Sequence, residues 1–145
     1  PAWQITVKEA EEEIKRAETR EHTSHSALRR AQWVQQSARN FGFDWPDVYG
    51  PAGKVFEEIG ELVGALGNGS EEDRQREFGD VLFALVNLGR FLNIDPEVAL
   101  SQTVERFEQR FQRMEEKAMG LGKTLGEMSL EEMDVLWEEV KEEEK

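Results

Sequence analysis

Apolar positions recur along most of this chain at the spacing of one helix face, and almost nowhere do they alternate. Between residues 27 and 41 they fall at Ala27, Ala31, Val34, Ala38 and Phe41, four and three residues apart in turn, which predicts a helix over 27–40. Ahead of it, Thr6 and Glu9 have the spacing of a capping box and open a mostly polar helix to about Arg20, with Val7, Ala10, Ile14 and Ala17 as its thin apolar stripe. The EHTSHS run that follows, carrying His22 and His25, reads as a solvated linker. FGFDWPDVYGP breaks the second helix at Gly42, Pro46, Gly50 and Pro51, and its aromatics are expected to pack down as an apolar plug.

A third helix is predicted from Pro51 or Ala52 to about Leu66, and a fourth from a Ser70 cap, with Asp73 three residues on, to about Leu92. Their short GNGS connection makes the pair an antiparallel hairpin. Asp95 and Pro96 open a fifth helix whose stripe is Leu100, Val104, Phe107, Phe111, Met114 and Ala118. GLGKTLGEM ends it, and Ser129 with Glu132 caps a sixth carrying Leu136, Trp137 and Val140. The fold class is therefore all-α, a helical bundle. One echo is visible: EEEIKRAE (11–18) resembles WEEVKEEE (137–144). Either low-complexity acidic helix recurs, or residues 1–26 are an amino-terminal helix and linker left over from an upstream copy of the 27–145 domain.

Composition narrows the chemistry. A length of 145 residues suits one core. The net charge of -13 opposes binding to a polyanion, so nucleic acid is not an expected partner. The absence of cysteine removes disulfides, thiolate nucleophiles and Cys-ligated metals. The sequence shows no signal peptide and no apolar run of about 18 residues, giving the expectation of a cytoplasmic protein without a membrane partner.

With 31 acidic residues in 145, acids three apart arise by chance at roughly one position in twenty, so spacing alone is weak evidence. Position says more. On the third helix Val55, Ile59, Leu62, Val63 and Leu66 make the face to be buried, and Lys54, Glu58, Glu61 and Ala65 run along its edge, with Glu57 further toward water. On the fourth, Glu77, Asp80, Ala84, Asn87 and Phe91 form a second stripe, and VLFALVNLGRFL is apolar nearly all round, so enclosure on most sides is expected. An antiparallel hairpin can bring Glu58 and Glu61 opposite Glu77 and Asp80. Four carboxylates in one volume repel, and a divalent cation relieves them; an all-oxygen ligand set selects a hard ion, Mg²⁺ or Mn²⁺. Ordinary ion pairs with Lys54, Arg74, Arg76 or Arg90 are the competing explanation.

Arg106 and Arg110 lie one turn apart on the fifth helix, with Arg113 beyond. In so acidic a chain they are candidates to meet an anion, or else they pair within the helix to Glu105, Glu108 or Glu115. A metal on the carboxylates, with Lys54, Arg106 and Arg110, makes a phosphate site.

From about Ala27 to Lys141 the chain resembles the MazG-type nucleoside triphosphate pyrophosphohydrolases, especially the carboxy-terminal catalytic domain of their two-domain bacterial members. The blocks that carry this are ALRRAQWVQQSARNFGFDWPDV, KVFEEIGE, EFGDVLFALVNLGRFLNIDPEVAL, ERFEQRF and LWEEVK. The resemblance implies an all-α fold of the NTP pyrophosphatase type completed by dimerisation, Mg²⁺ as cofactor, and cleavage of nucleoside triphosphates to monophosphate and pyrophosphate. It implies metal-ligand roles for Glu58, Glu61, Glu77 and Asp80, which would also be catalytic, and phosphate contacts from Lys54, Arg106 and Arg110. Trp137 takes the place of a nucleotide-contacting tryptophan, unless it is a core aromatic; Glu57 and Asn87 join the substrate-binding set, with Glu57, Glu58 or Glu61 holding the attacking water. No Ser, Cys or His nucleophile is evident, so direct hydrolysis is expected. The related dUTP, dCTP or phosphoribosyl-ATP pyrophosphohydrolases, and a non-catalytic helical interaction module, are the alternatives.

Overall fold

A computed structural model describes residues 6–23 and 26–145, with the backbone alone described for 17–23. The described residues form six α-helices and no strand: α1 Val7–Thr23, α2 Ala27–Asn40, α3 Tyr49–Asn68, α4 Glu71–Phe91, α5 Pro96–Gly120 and α6 Leu130–Glu143, with a 3-10 turn at Leu125–Glu127 before α6. The chain divides into two compact units, Pro1–Glu97 and Val98–Lys145.

Local sequence sets the helix starts. Thr6 and Glu9, Ser70 and Asp73, and Ser129 and Glu132 each exchange side-chain and backbone hydrogen bonds as reciprocal capping boxes, satisfying amide donors the first turn leaves open. Asp95 Oδ1 accepts from the Glu97 amide at 2.9 Å at the start of α5. Three helices end alike. At Gly42 (φ 86), Asn93 (φ 57) and Gly122 (φ 74) the chain turns left-handed. In each case the next amide reaches back five residues: Phe43 to Ala38, Ile94 to Gly89 and Lys123 to Ala118. This is the Schellman closure, which favours a residue with little or no Cβ penalty.

Two boundaries differ from the sequence reading. α1 continues through Glu21, His22 and Thr23 instead of stopping near Arg20, because nothing in that run breaks a helix and each added residue gains a backbone hydrogen bond; His25 lies outside the described residues. α3 begins at Tyr49, two residues before Pro51, since proline fits the first turn, and the Tyr49 amide is held by Asp47 Oδ1 at 3.0 Å.

In the first unit, α3 and α4 form the expected hairpin across Gly69 and Ser70, and α2 packs against α4. Its buried residues are Gln35, Pro51, Val55, Ala84 and Val86. The second unit has its own core of Met114, Ala118, Met128, Leu136 and Val140, flanked by Leu125, Met133 and Trp137. The apolar stripes are only partly covered, which corrects three expectations. The aromatic plug is not buried: Phe41 and Phe43 are 92% and 83% exposed, Tyr49 is exposed, and only Trp45 folds back, over Gly50. The face of α3 is buried at Val55 but open at Ile59, Val63 and Leu66. α4 is closed at Ala84 and Val86 and open at Leu82, Phe83 and Leu85, so it is not enclosed on most sides. The periodicity marked residues that share a face; among the described residues of the first unit, no element fully covers these faces.

Candidate functional site

The α3–α4 hairpin places Glu58, Glu77 and Asp80 together, with one carboxylate oxygen of each within 4.8 Å of the others. Glu58 and Glu77 are sheltered, their side chains 12% and 16% exposed, while Asp80 opens to solvent. Two ligand oxygens on one Mg²⁺ stand at most about 4.2 Å apart, twice a bond of about 2.1 Å. Small side-chain rotations would bring the three groups to that span, so an all-oxygen set of this kind fits a hard cation. Glu61 is not in this trio. One turn from Glu58, it lines a neighbouring groove with Glu57 and Glu77, so Glu77 borders both places.

Lys54 stands one turn before the acids, its Nζ 3.0 Å from Glu58 and 3.2 Å from Glu57. Hydrogen bonding to Glu58, then to Glu57, raises its pKa above the ordinary lysine value, so it stays cationic beside the cluster. Arg76 reaches Glu77 only at 3.8 Å. Of the ion pairs anticipated as a competing explanation, those of Lys54 and Arg76 are present, whereas Arg74 donates to the Gly69 carbonyl and Arg90 pairs with Asp44; one ammonium at Glu58 and one distant guanidinium do not match three carboxylates.

Beside the cluster lies a cavity of about 650 Å³. Lys54, Glu58, Asp80, Ala84 and Asn87, members of the two predicted stripes, line it together. Sequence reasoning missed three further lining residues: Gln35, Asp44 and Arg90 took no part in the predicted site. Arg90 grips Asp44 with a two-pronged fork, Nη1 to Oδ2 at 3.0 Å and Nη2 to Oδ1 at 2.6 Å. Its Nε and Nη2 also donate to Asn87 Oδ1. That bond to Arg90 is the main reason the Asp44 carboxyl is held below the usual aspartate pKa. An aspartate inside an aromatic run was the available signal for the pair. For Gln35 it was the position four after Ala31 and three before Ala38, at the edge of the apolar face of α2.

The remaining predicted residues lie in the second unit. Arg110 does not pair within its helix: it and Arg113 bind the Glu144 carboxylate after α6, with Arg110 Nη2 at 2.8 Å from Oε2. That contact raises the Arg110 pKa and lowers that of Glu144. The Arg110 guanidinium also sits 5.5 Å above the Trp137 ring, and Trp137 packs 5.6 Å from Phe107. Arg106 donates to Thr103 Oγ1 at 3.4 Å. No helix among the described residues is long and apolar enough to cross a membrane.

Comparison with known sequences accords with this arrangement. The model of the MazG nucleotide pyrophosphohydrolase domain matches residues 52–116, the stretch that contains the hairpin and its acids. The chain is 43% identical over 115 residues to the nucleoside triphosphate pyrophosphohydrolase/pyrophosphatase MazG of Thermotoga maritima, covering 79% of this chain and 44% of the relative. It is 35% identical over 145 residues to the nucleoside triphosphate pyrophosphohydrolase of Escherichia coli K12, covering 92% and 55%. It is also 52% identical over 75 residues to the uncharacterized protein YabN of Bacillus subtilis, covering 52% and 15%. The chain spans about half the length of the first two relatives. Helices, an acidic hairpin and these similarities agree: residues 52–116 match the MazG nucleotide pyrophosphohydrolase domain, and the chain resembles the MazG proteins beyond that stretch.

Proposed function

We propose that this chain is a Mg²⁺-dependent nucleoside triphosphate pyrophosphohydrolase, converting (d)NTP and water to (d)NMP and pyrophosphate. The observation that carries the reading is the approach of Glu58, Glu77 and Asp80 within 4.8 Å beside a cationic Lys54. Glu61 joins them as a fourth carboxylate by rotating in from the adjoining groove. Mg²⁺, or Mn²⁺ in its place, would supply charge neutralisation of the phosphates and acidify the attacking water.

The protein's own groups do the rest. Lys54 offers its ammonium to a phosphate oxygen once the carboxylates it now pairs with are engaged. A carboxylate among Glu57, Glu58 and Glu61 holds the water and takes its proton as the water oxygen bonds to phosphorus. The P–O bond at the α–β bridge breaks, and pyrophosphate leaves with the bridging electron pair. Arg106 and Arg110 are assigned to the anionic substrate, and the grip of Arg110 on Glu144 supports that chemistry, a guanidinium already holding an oxyanion. Trp137 is assigned a stacking role and Asn87 a contact from the cavity wall. Residues 27–145 make up the catalytic domain.

Two copies are proposed to associate, because Ile59, Val63, Leu66, Leu82 and Leu85 of the hairpin are apolar and exposed, and a second copy of the chain would take such residues out of water. The partner in turnover is a nucleotide, with no role for a nucleic acid or membrane surface. Substitution tests the assignment: Glu61→Gln and Asp80→Asn should each abolish pyrophosphate release while the helical circular dichroism spectrum is retained. Full activity in either variant would remove the carboxylates from the mechanism.

A further inference from the structure

In the second unit, Arg110 of α5 and Glu144, just after α6, meet along one side of the guanidinium. Nε donates to Oε1 and Oε2, both at 3.1 Å, and Nη2 donates to Oε2 at 2.8 Å. Arg113 donates to Oε1 as well, so two guanidiniums hold the one carboxylate. The Arg110 and Glu144 side chains are 21% and 26% exposed, and solvent screens such a partly sheltered contact less than an open one.

A guanidinium carries five N–H donors on a rigid planar fork, and a carboxylate seated along Nε and Nη2 uses one side of it. The side formed by Nη1 and the second Nη2 hydrogen stays open. Among the described residues Nη1 donates to no group, and it is not sealed from water. The Trp137 ring, 5.5 Å from the guanidinium carbon and itself packed 5.6 Å from Phe107, gives the plane a wall to lie against. Two guanidinium charges against one carboxylate leave the group net positive, so an oxyanion approaching the open side is attracted. An arginine ordinarily loses rotamer freedom when it grips an anion. Here Glu144 has removed that freedom beforehand.

We propose that Glu144 is a positioning residue, locking Arg110 against Trp137 so that the Nη1 side of the guanidinium faces a phosphate oxygen of the substrate; the inference rests on the pyrophosphohydrolase reading and its assignment of Arg110 to the substrate. Glu144 itself touches no phosphate. It acts through Arg110, and its effect should vanish when that arginine is gone.

Glu144→Met keeps the length of the side chain and removes both oxygens. With the (d)NTP that the wild type turns over fastest, its KM should rise about 2- to 13-fold, the factor for ordering one rotamer-rich side chain, while kcat is unchanged. A merely structural loss would lower kcat by the unfolded fraction and leave KM alone. In an Arg110→Met background the same change should leave KM where Arg110→Met put it. An unchanged KM in Glu144→Met, a lower one, which would make the carboxylate a competitor for the arginines, or a rise that persists without Arg110 overturns the assignment. Should no triphosphate release pyrophosphate, it is the functional reading that fails, and calorimetry with inorganic pyrophosphate and Mg²⁺ then decides the role of Glu144. Its dissociation constant should be higher in Glu144→Met than in the wild type by the same factor, and equal constants, or no binding to the wild type, overturn the proposal.

Discussion

Arg90→Met removes the most sheltered ion pair among the described residues. The Arg90 and Asp44 side chains are 6% and 13% exposed, so solvent screens them little, and two short hydrogen bonds join them. With Arg90 gone, Asp44 keeps the Trp45 amide at 2.9 Å and Arg39 at 3.8 Å, weak company for a sheltered carboxylate. Breaking such a pair from one side costs about 3–5 kcal/mol, most of it from the charge left behind. Asp44→Asn should cost a similar amount, since it strands the guanidinium. The double variant should cost less than the two together, by about 0.5–3 kcal/mol, because the second change relieves the first. Urea unfolding followed by circular dichroism at pH 7 measures all three, at one protein concentration so that any association is held constant. Single variants below about 1 kcal/mol with additive effects would refute the reading of Arg90 and Asp44 as a sheltered pair that stabilises the fold. The pH dependence has a definite sign. Arg90 depresses the folded pKa of Asp44, so its contribution is complete above the unfolded value of about 3.9 and is lost as pH falls below it toward the folded value. Asp44→Asn should flatten that part of the acid limb.

Other outcomes follow from the same geometry. Mg²⁺ should raise the thermal midpoint, by the equivalent of about 2.7 kcal/mol at a hundred times its dissociation constant, and stripping the metal should reverse the rise. Asp80→Asn should suppress the response, and an undiminished rise in that variant would place the ion elsewhere. Gly122→Ala meets nothing within 4 Å but must hold a φ of 74°, so a loss of about 1–2 kcal/mol from backbone strain alone is expected in chemical denaturation. Ser70→Ala should cost about 1 kcal/mol by opening the α4 cap in the same assay, and an unchanged midpoint would mean the cap is dispensable.

What the sequence made legible was local or periodic. The capping boxes at Thr6, Ser70 and Ser129 could be read because partner and cap lie three residues apart, and the α3–α4 hairpin because only the short GNGS run (67–70) stood between the two apolar patterns. The approach of Glu58 to Asp80 then followed from helical pitch. Glu61 falls outside the trio because a one-turn step moves a side chain along the helix axis, and the crossing of two helices decides which turn faces the partner. Exposure was not legible. Phe41, Val63 and Leu82 have core periodicity yet lie open, since a pattern says which residues share a face and nothing of what covers it. Gln35 was legible only as a position at the edge of the apolar face of α2; that its amide is bonded across the helix pair, to the Phe83 carbonyl, is a tertiary contact that no local pattern carries.

The acidic hairpin, loaded with Mg²⁺, is proposed to hydrolyse a nucleoside triphosphate at its α–β bridge. Ion chromatography of the products from a dNTP, with and without Mg²⁺, decides it. Equal amounts of dNMP and pyrophosphate, formed only with the metal, are the predicted result; dNDP with orthophosphate, or no product under either condition, would contradict it.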